Sequence, residues 1–253
     1  MQSILKVTGL NLDISWKNPD ENFRKIEEEL EGVQTDLVVL PEMFSTGFYM
    51  KPADIADRTG TTLSWMKELA KKHQFAVAGS VSVQEDEKFY NRFYFVKPDA
   101  DFCHYDKRHL FTYSGEDKRY TPGKSRTVVE YKGWRILLQV CYDLRFPVAS
   151  RNTGDYDAVL YVANWPDTRV QAWNVLLQAR AIENQAYVVG INRIGTDGNH
   201  LTYVESSWIF SPEGKDLTQK NSSLISANLN ANDLREFRQK FPFLEDRDEF
   251  QLL

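Results

Sequence analysis

The 253-residue sequence predicts an α/β layered domain, and three observations carry that expectation. Short apolar, β-branched runs alternate with longer segments of helical periodicity. The runs LVVL at 37–40, ILLQV at 136–140 and AVLYVA at 158–163 lack the polar alternation of a half-solvated sheet, so they read as strands covered on both faces. No low-complexity linker and no repeat of roughly 20 to 50 residues interrupts the chain, which is expected to form one domain over 1–253, with a C-terminal tail from about 240 onward.

In chain order, strands are expected at 4–10, 36–40, 75–83, 90–96, 134–140, 158–163, 187–191 and 208–210. Helices are expected at 19–30, 62–72, 169–184 and 232–240. The first pairs Pro19 at its start with Gly32 just past its end, the usual asymmetry of helix punctuation. In the third, Trp173, Leu176, Leu177 and Ile182 supply the apolar face. Lys132 and Gly133 suit a hairpin turn between VVEY and WRILLQV. Strand, helix, strand, helix and then a hairpin-rich stretch is the order of a layered α/β fold.

Composition narrows the class of function. The net charge is −5 and the basic residues are scattered, which argues against a nucleic-acid or membrane-surface protein. The first eight residues lack the apolar core of a signal peptide, and no apolar run approaches the ~18 residues of a membrane span, so a cytoplasmic protein is expected. Cys103 and Cys141 are the two cysteines, too few for a disulfide framework, and reduced thiols are the simpler reading. The four histidines do not cluster with Cys or carboxylates at zinc spacing, and no P-loop or GxGxxG is present, so neither metal nor organic cofactor is signalled.

Four of the buried-looking strands run into polar or turn-forming residues: Pro41-Glu42, Cys141-Tyr142-Asp143, Asn164-Trp165-Pro166 and Asn192-Arg193. Ligands of layered α/β proteins bind outside the carboxyl ends of strands, so these points are expected to share one site. Cys141 would sit at a strand-to-helix corner, before a short helix at 146–151, facing backbone N–H groups that lower a thiol pKa and bind an oxyanion. Taken alone it reads as inert packing, since free Cys is among the most buried residue types. Glu42, emerging from an apolar strand, suits a partly desolvated general base, and taken alone reads as a structural salt-bridge partner or a solvated loop residue. Lys107, in a charged pentapeptide, alone reads as a solvated cation. As a set they cohere: a thiol needs a base, an oxyanion needs a cation, and a Glu beside a thiolate needs a compensating charge.

These residues resemble the nitrilase superfamily of carbon-nitrogen hydrolases, whose members carry Glu, Lys and Cys in this chain order. The similarity lies in LPEMFSTGF around Glu42, YDKRHLF around Lys107 and VCYDLRFP around Cys141, and extends to GEDKRYTPG, YVANWP and QARAIENQAYVVGINRIG. The resemblance implies a four-layer αββα sandwich. It also implies a homodimer, built through helices near the nucleophile and open to higher assembly, with C-terminal tails often exchanged between subunits; FPFLEDRDEF would be such a tail, or would pack on its own subunit. It implies Cys141 as nucleophile, Glu42 as base, Lys107 and the Tyr142 N–H as oxyanion donors, Glu116 as the second glutamate, orienting Lys107 and the substrate amide, and no cofactor.

VCYDLRFP, VANWP and ARAIENQAY look most like the ω-amidase branch, whose members cleave the terminal amide of 2-oxoglutaramate and 2-oxosuccinamate. A substrate with an amide at one end and an α-keto carboxylate at the other needs a cation opposite the thiol, and Arg grips a carboxylate with paired N–H groups. Arg145 and Arg169 are the candidates; Arg145 is alternatively a structural partner of Asp143 or Glu183. Phe48, Tyr113, Trp165 and Tyr203 are candidate walls. Glu205-Ser206-Ser207 stands where related enzymes often read Gly-His-Ser or Gly-Asp-Ser, which bears on the pocket rim. Rival readings are nitrile hydrolysis by the same triad, a catalytically idle scaffold of the same fold, and a Cys141–His109 hydrolase; His109, two residues from Lys107, is read as structural.

Overall fold

In the computed structural model, which describes residues 2–251, the chain begins with strand β1 (Ile4–Leu10), helix α1 (Pro19–Glu29), β2 (Leu37–Val39), α2 (Thr61–His73), β3 (Ala76–Glu85), β4 (Lys88–Val96) and β5 (Phe102–Asp106). Next come β6 (Val128–Tyr131), β7 (Trp134–Val140), the one-turn α3 (Pro147–Ser150), β8 (Ala158–Ala163), α4 (Val170–Asn184) and β9 (Tyr187–Asn192). The short pair β10 (Gly195–Thr196) and β11 (Thr202–Tyr203), then β12 (Trp208–Phe210), β13 (Gln219–Asn221), β14 (Leu224–Asn230) and α5 (Ala231–Lys240) complete it.

Local chemistry sets several of these boundaries. The Asn18 side chain accepts the Glu21 N–H, Pro19 opens α1, and Asp20 and Glu21 lie in its positive first turn. Lys132 and Gly133 both take positive φ, as a two-residue hairpin turn requires, and pair Tyr131 with Trp134.

The strands form two main sheets. One runs β13-β14-β1-β2-β3-β4-β5, with β1, β2 and β3 parallel and the flanking pairs antiparallel; the other runs β12-β9-β8-β7-β6, with β7, β8 and β9 parallel. Alternation along each strand sends one set of side chains inward, where Leu5, Val7, Val39 and Phe95 of the first sheet meet Ile136, Leu138, Leu160 and Val189 of the second. The outer face of the first sheet packs on α1 and α2 through Phe23, Ile26, Met66 and Leu69; that of the second packs on α4 through Trp173, Leu177 and Ala181. The result is the αββα sandwich.

Two expectations need correction. Ile182 is 52% exposed and does not belong to the buried face of α4: it points away from the sheet, toward the surface turn at Gly214, and Ala181 takes the inward position. Strands β5, β13 and β14, with the short β10–β11 pair, join those foreseen. At the tail, Asp246, Arg247 and Phe250 border a groove with Pro147, Val148 and Glu183, and the Phe241 carbonyl accepts from Gln185 Nε2. The last two positions of the expected tail lie outside the described residues. Among the described residues, no helix is long and apolar enough to cross a membrane.

Candidate active site

Strand ends from both sheets meet at one place. Glu42 follows β2, Lys107 follows β5, Cys141 follows β7 and Asn164 follows β8, while Glu116 lies on a short 3₁₀ turn at Glu116–Lys118. The four polar points read from the sequence do converge, but in two ranks. Glu42, Cys141 and Asn164 reach the reaction centre; Asn192 stands behind Trp165, accepting its N–H at 2.8 Å, and Arg193 lies under the Tyr203 ring at 4.7 Å.

The charged cluster is sealed from water. Lys107 is 1% exposed, against its reading as a solvated cation, and its Nζ donates to Glu42 Oε1 at 2.9 Å and to Glu116 Oε1 and Oε2 at 3.2 and 3.0 Å. Glu42 Oε1 also accepts from Asn91 Nδ2 at 2.8 Å, and Oε2 accepts the Asn164 N–H at 2.8 Å. Glu116 Oε2 accepts the Phe111 N–H at 2.6 Å. Burial works against the Lys107 charge, but Glu116 and Glu42 on either side outweigh it and raise its pKa, so Lys107 is a fixed cation rather than a proton donor. Burial, reinforced by Glu42, raises Glu116 despite the opposing pull of Lys107.

Cys141 opens a 3₁₀ turn, Cys141–Arg145, with backbone φ of +44°, in the left-handed region unusual for a residue with a Cβ. Its thiol corrects one expectation: burial and the neighbouring Glu42 push its pKa well up, Lys107 opposes them, and helical N–H groups do not prevail. The resting group is therefore a neutral thiol that needs a base. Tyr142 is next in the turn, where the first N–H groups have no intrahelical acceptor.

Asp143 joins this turn to the Lys107 segment. Its Oδ2 accepts the Val140 N–H and the Tyr105 hydroxyl, each at 2.9 Å, while Oδ1 accepts the His109 N–H at 3.0 Å and bonds His109 Nδ1 at 2.7 Å. The His109 ring stacks on Phe146 with centroids 4.0 Å apart. His109 thus holds the frame and is absent from the cavity lining. Because Asp143 is committed to His109 and Tyr105, and Glu183 to Arg180, the alternative structural pairing of Arg145 is not made.

A cavity of about 280 Å³ opens over the thiol. The sequence-derived candidates Phe48, Tyr113, Cys141, Tyr142, Arg145, Trp165, Arg169 and Tyr203 all border it, as does Lys107. Tyr113, 86% exposed, stands at its rim. Arg145 lies over the Trp165 ring at 4.9 Å and Arg169 over Phe111 at 5.5 Å, and neither has an ion pair with a described residue. Glu205 pairs with Lys220 at 3.6 Å and does not line the cavity. Sequence reasoning missed Asn91, Asp143 as a frame residue, and the β10–β11 hairpin that brings Asp197, Asn199 and Leu201 to the cavity.

The chain is 45% identical to the ω-amidase YafV of Escherichia coli strain K12 over 252 residues, 98% of each chain, and 32% identical to the 2-oxoglutaramate amidase of Bacillus subtilis strain 168, covering 95% of this chain and 96% of that protein. Among solved structures, XC1258 of Xanthomonas campestris, a CN-hydrolase superfamily protein with an arsenic adduct in its active site, superposes with a TM-score of 0.96 at 39% identity over 99% of both chains. The carbon-nitrogen hydrolase family model matches residues 6–239, and with the αββα sandwich and its buried Glu, Lys and Cys cluster the chain belongs to the carbon-nitrogen hydrolases of the nitrilase superfamily.

Proposed function

We propose that the protein is an ω-amidase that hydrolyses the terminal amide of a short α-keto acid amide, 2-oxoglutaramate or 2-oxosuccinamate, to the dicarboxylate and ammonia. The observation that carries the reading is one small cavity bordered by the thiol of Cys141 and by two arginines, Arg145 and Arg169, that form no ion pair among the described residues. Such a space takes a molecule with an amide at one end and a carboxylate at the other. The similarity to YafV and to the 2-oxoglutaramate amidase supports the same class of substrate.

In this reading Glu42 takes the thiol proton as sulfur bonds the amide carbon, and the carbonyl electron pair moves to oxygen, facing Lys107 and the Tyr142 N–H. The C–N bond breaks as Glu42 protonates the departing nitrogen, which leaves as ammonia and a thioester on Cys141. Water then gives a proton to Glu42 and attacks the thioester; the C–S bond breaks and the sulfur recovers its proton. Glu116 keeps Lys107 aimed at the oxyanion. The aromatic surfaces of Phe48, Trp165, Tyr113 and Tyr203 pack the short carbon chain.

The test is ammonia release from 2-oxoglutaramate, 2-oxosuccinamate, glutamine, an N-carbamoyl amino acid and a simple nitrile. A clear preference for the keto-acid amides is expected; equal or better turnover of glutamine or the nitrile overturns the reading. Arg145→Ala and Arg169→Ala should raise KM for a keto-acid amide more than for a neutral amide, and equal effects would remove the carboxylate role. A homodimer built through the apolar surface of Val148, Val175 and Ile182 is part of the proposal, supported by the exposure of those side chains and checked by light scattering. A cytoplasmic setting suits its two free thiols.

A further inference from the structure

Asn91, on β4, has no part in the chemistry described so far, yet it touches three of the buried charged residues. Its Nδ2 donates to Glu42 Oε1 at 2.8 Å and to Glu116 Oε1 at 3.2 Å, and its backbone carbonyl accepts the Lys107 N–H at 2.9 Å. The side chain is fully buried, and its own Oδ1 has no partner among the described residues. An amide that leaves its acceptor unsatisfied in order to point one donor at two carboxylates is oriented by those carboxylates.

The electrostatics explain what that orientation does. Glu42 and Glu116 share one ammonium, so with both ionised the cluster carries a net negative charge away from water, a state that burial and mutual repulsion oppose. An ionised carboxylate can only accept hydrogen bonds, and a donor shared by both stabilises the ionised form of each. Two further titratable groups border the cluster: Cys141, on which Glu42, Lys107 and Glu116 act, and Tyr120, whose hydroxyl bonds Ser82, the residue opposite Asn91 on β3. Arg92 and Asp106, each one residue away on its strand, pair with each other on the opposite face of the sheet.

We propose that Asn91 is a positioning residue that keeps Glu42 ionised while the thiol still holds its proton, by donating to Glu42 and Glu116 together and by fixing Lys107 between them. The proposal rests on Glu42 being the base. Asn91 makes and breaks no covalent bond in this role; it biases where the proton resides before the sulfur attacks.

The experiment replaces Asn91 with Leu, of similar volume and without a donor, and follows kcat/KM for ammonia release from the best amide substrate as a function of pH. Removing the donor makes the carboxylate pair harder to ionise, so the acid limb moves upward by about one pH unit, with the rate recovering on the alkaline side. A uniform drop in rate with the acid limb unmoved overturns the proposal, because that is the signature of loosened packing alone. If circular dichroism shows that Asn91→Leu does not fold, Asn91→Ser is read the same way: its shorter hydroxyl cannot span both carboxylates, so the limb should again move upward, and an unmoved limb is again fatal. Glu42→Gln separates the two ideas. If it retains wild-type turnover, the assignment of the base fails; if it is inactive while Asn91→Leu leaves the acid limb in place, the role of Asn91 fails alone.

Discussion

Glu42→Gln should move two properties of the site in opposite senses. The substitution keeps the shape of the side chain and removes its charge. Glu42 accepts from Lys107 Nζ and Asn91 Nδ2 on one oxygen and from the Asn164 N–H on the other. A glutamine has one acceptor, so whichever way its amide turns, an N–H group faces another N–H group. One buried donor is left without a partner, which costs about 1 to 3 kcal/mol; in a chain of this size that lowers Tm by several degrees. Gln cannot take the thiol proton, and turnover should fall by roughly 10² to 10⁴-fold. Yet Glu42 is one of the groups that push the Cys141 pKa upward, both by its charge and by its hydrogen bond. Without it the thiol should become more acidic, although burial still holds it above the usual range. The assay pairs ammonia release with the pH dependence of alkylation of Cys141 by iodoacetamide, with Cys141→Ala correcting for reaction at Cys103. Turnover within tenfold of wild type, or a thiol titrating at higher pH than in the wild type, would refute the reasoning.

Two further substitutions test the frame around the site. Gly123→Ala would place a methyl group 2.0 Å from the Asp106 carbonyl oxygen, while the Gly123 N–H already donates to the Lys107 carbonyl, so backbone must yield beside Lys107. We expect a lower Tm together with a lower kcat, and thermal melts with steady-state kinetics will show whether the two fall together; an unchanged kcat would mean that Lys107 tolerates the shift. Asp143→Asn presents an N–H group to one of two donor sets, the Val140 and Tyr105 pair or the two His109 donors. A loss of about 1 to 3 kcal/mol is expected, with slower turnover because the Cys141 turn separates from the Lys107 segment; a variant with wild-type Tm and kcat would show that Asp143 does not couple them.

The strands that end at reacting groups were legible because their composition changes abruptly there. ILLQV and AVLYVA are apolar up to Cys141 and Asn164, and their bounds in the structure are those read from the sequence. β14, with the sequence LISANLN, hides its alternation behind Ser and Asn, since its outward positions are partly exposed and its inward ones include a small Ala. β5 was obscured by the charged motif into which it runs. Lys107 and Glu116 were nameable through resemblance, whereas their burial was not, because it depends on β4 and β5 pairing in a register that sets Asn91 beside Lys107. A neutral amide such as Asn91 leaves no mark in a charge pattern. The alternative pairing of Arg145 with Asp143 fails for a related reason: the carboxylate two residues away looked available, but a histidine 34 residues upstream already holds it.

The left-handed backbone at Cys141 also limits which nucleophiles mutation can supply at that corner. A φ of +44° leaves space for a Cβ with one heavy substituent, while a second substituent crowds the adjacent peptide, making a β-branched residue a steric outlier there. Serine can occupy the turn and keep the fold, so Cys141→Ser should melt like the wild type even where its weaker nucleophile reacts poorly. Threonine should cost roughly 1 to 3 kcal/mol before any chemistry is considered, a difference that thermal melts of the two variants would reveal. The geometry of the corner therefore divides the hydroxyl amino acids, and a threonine-dependent descendant would first have to rebuild the turn.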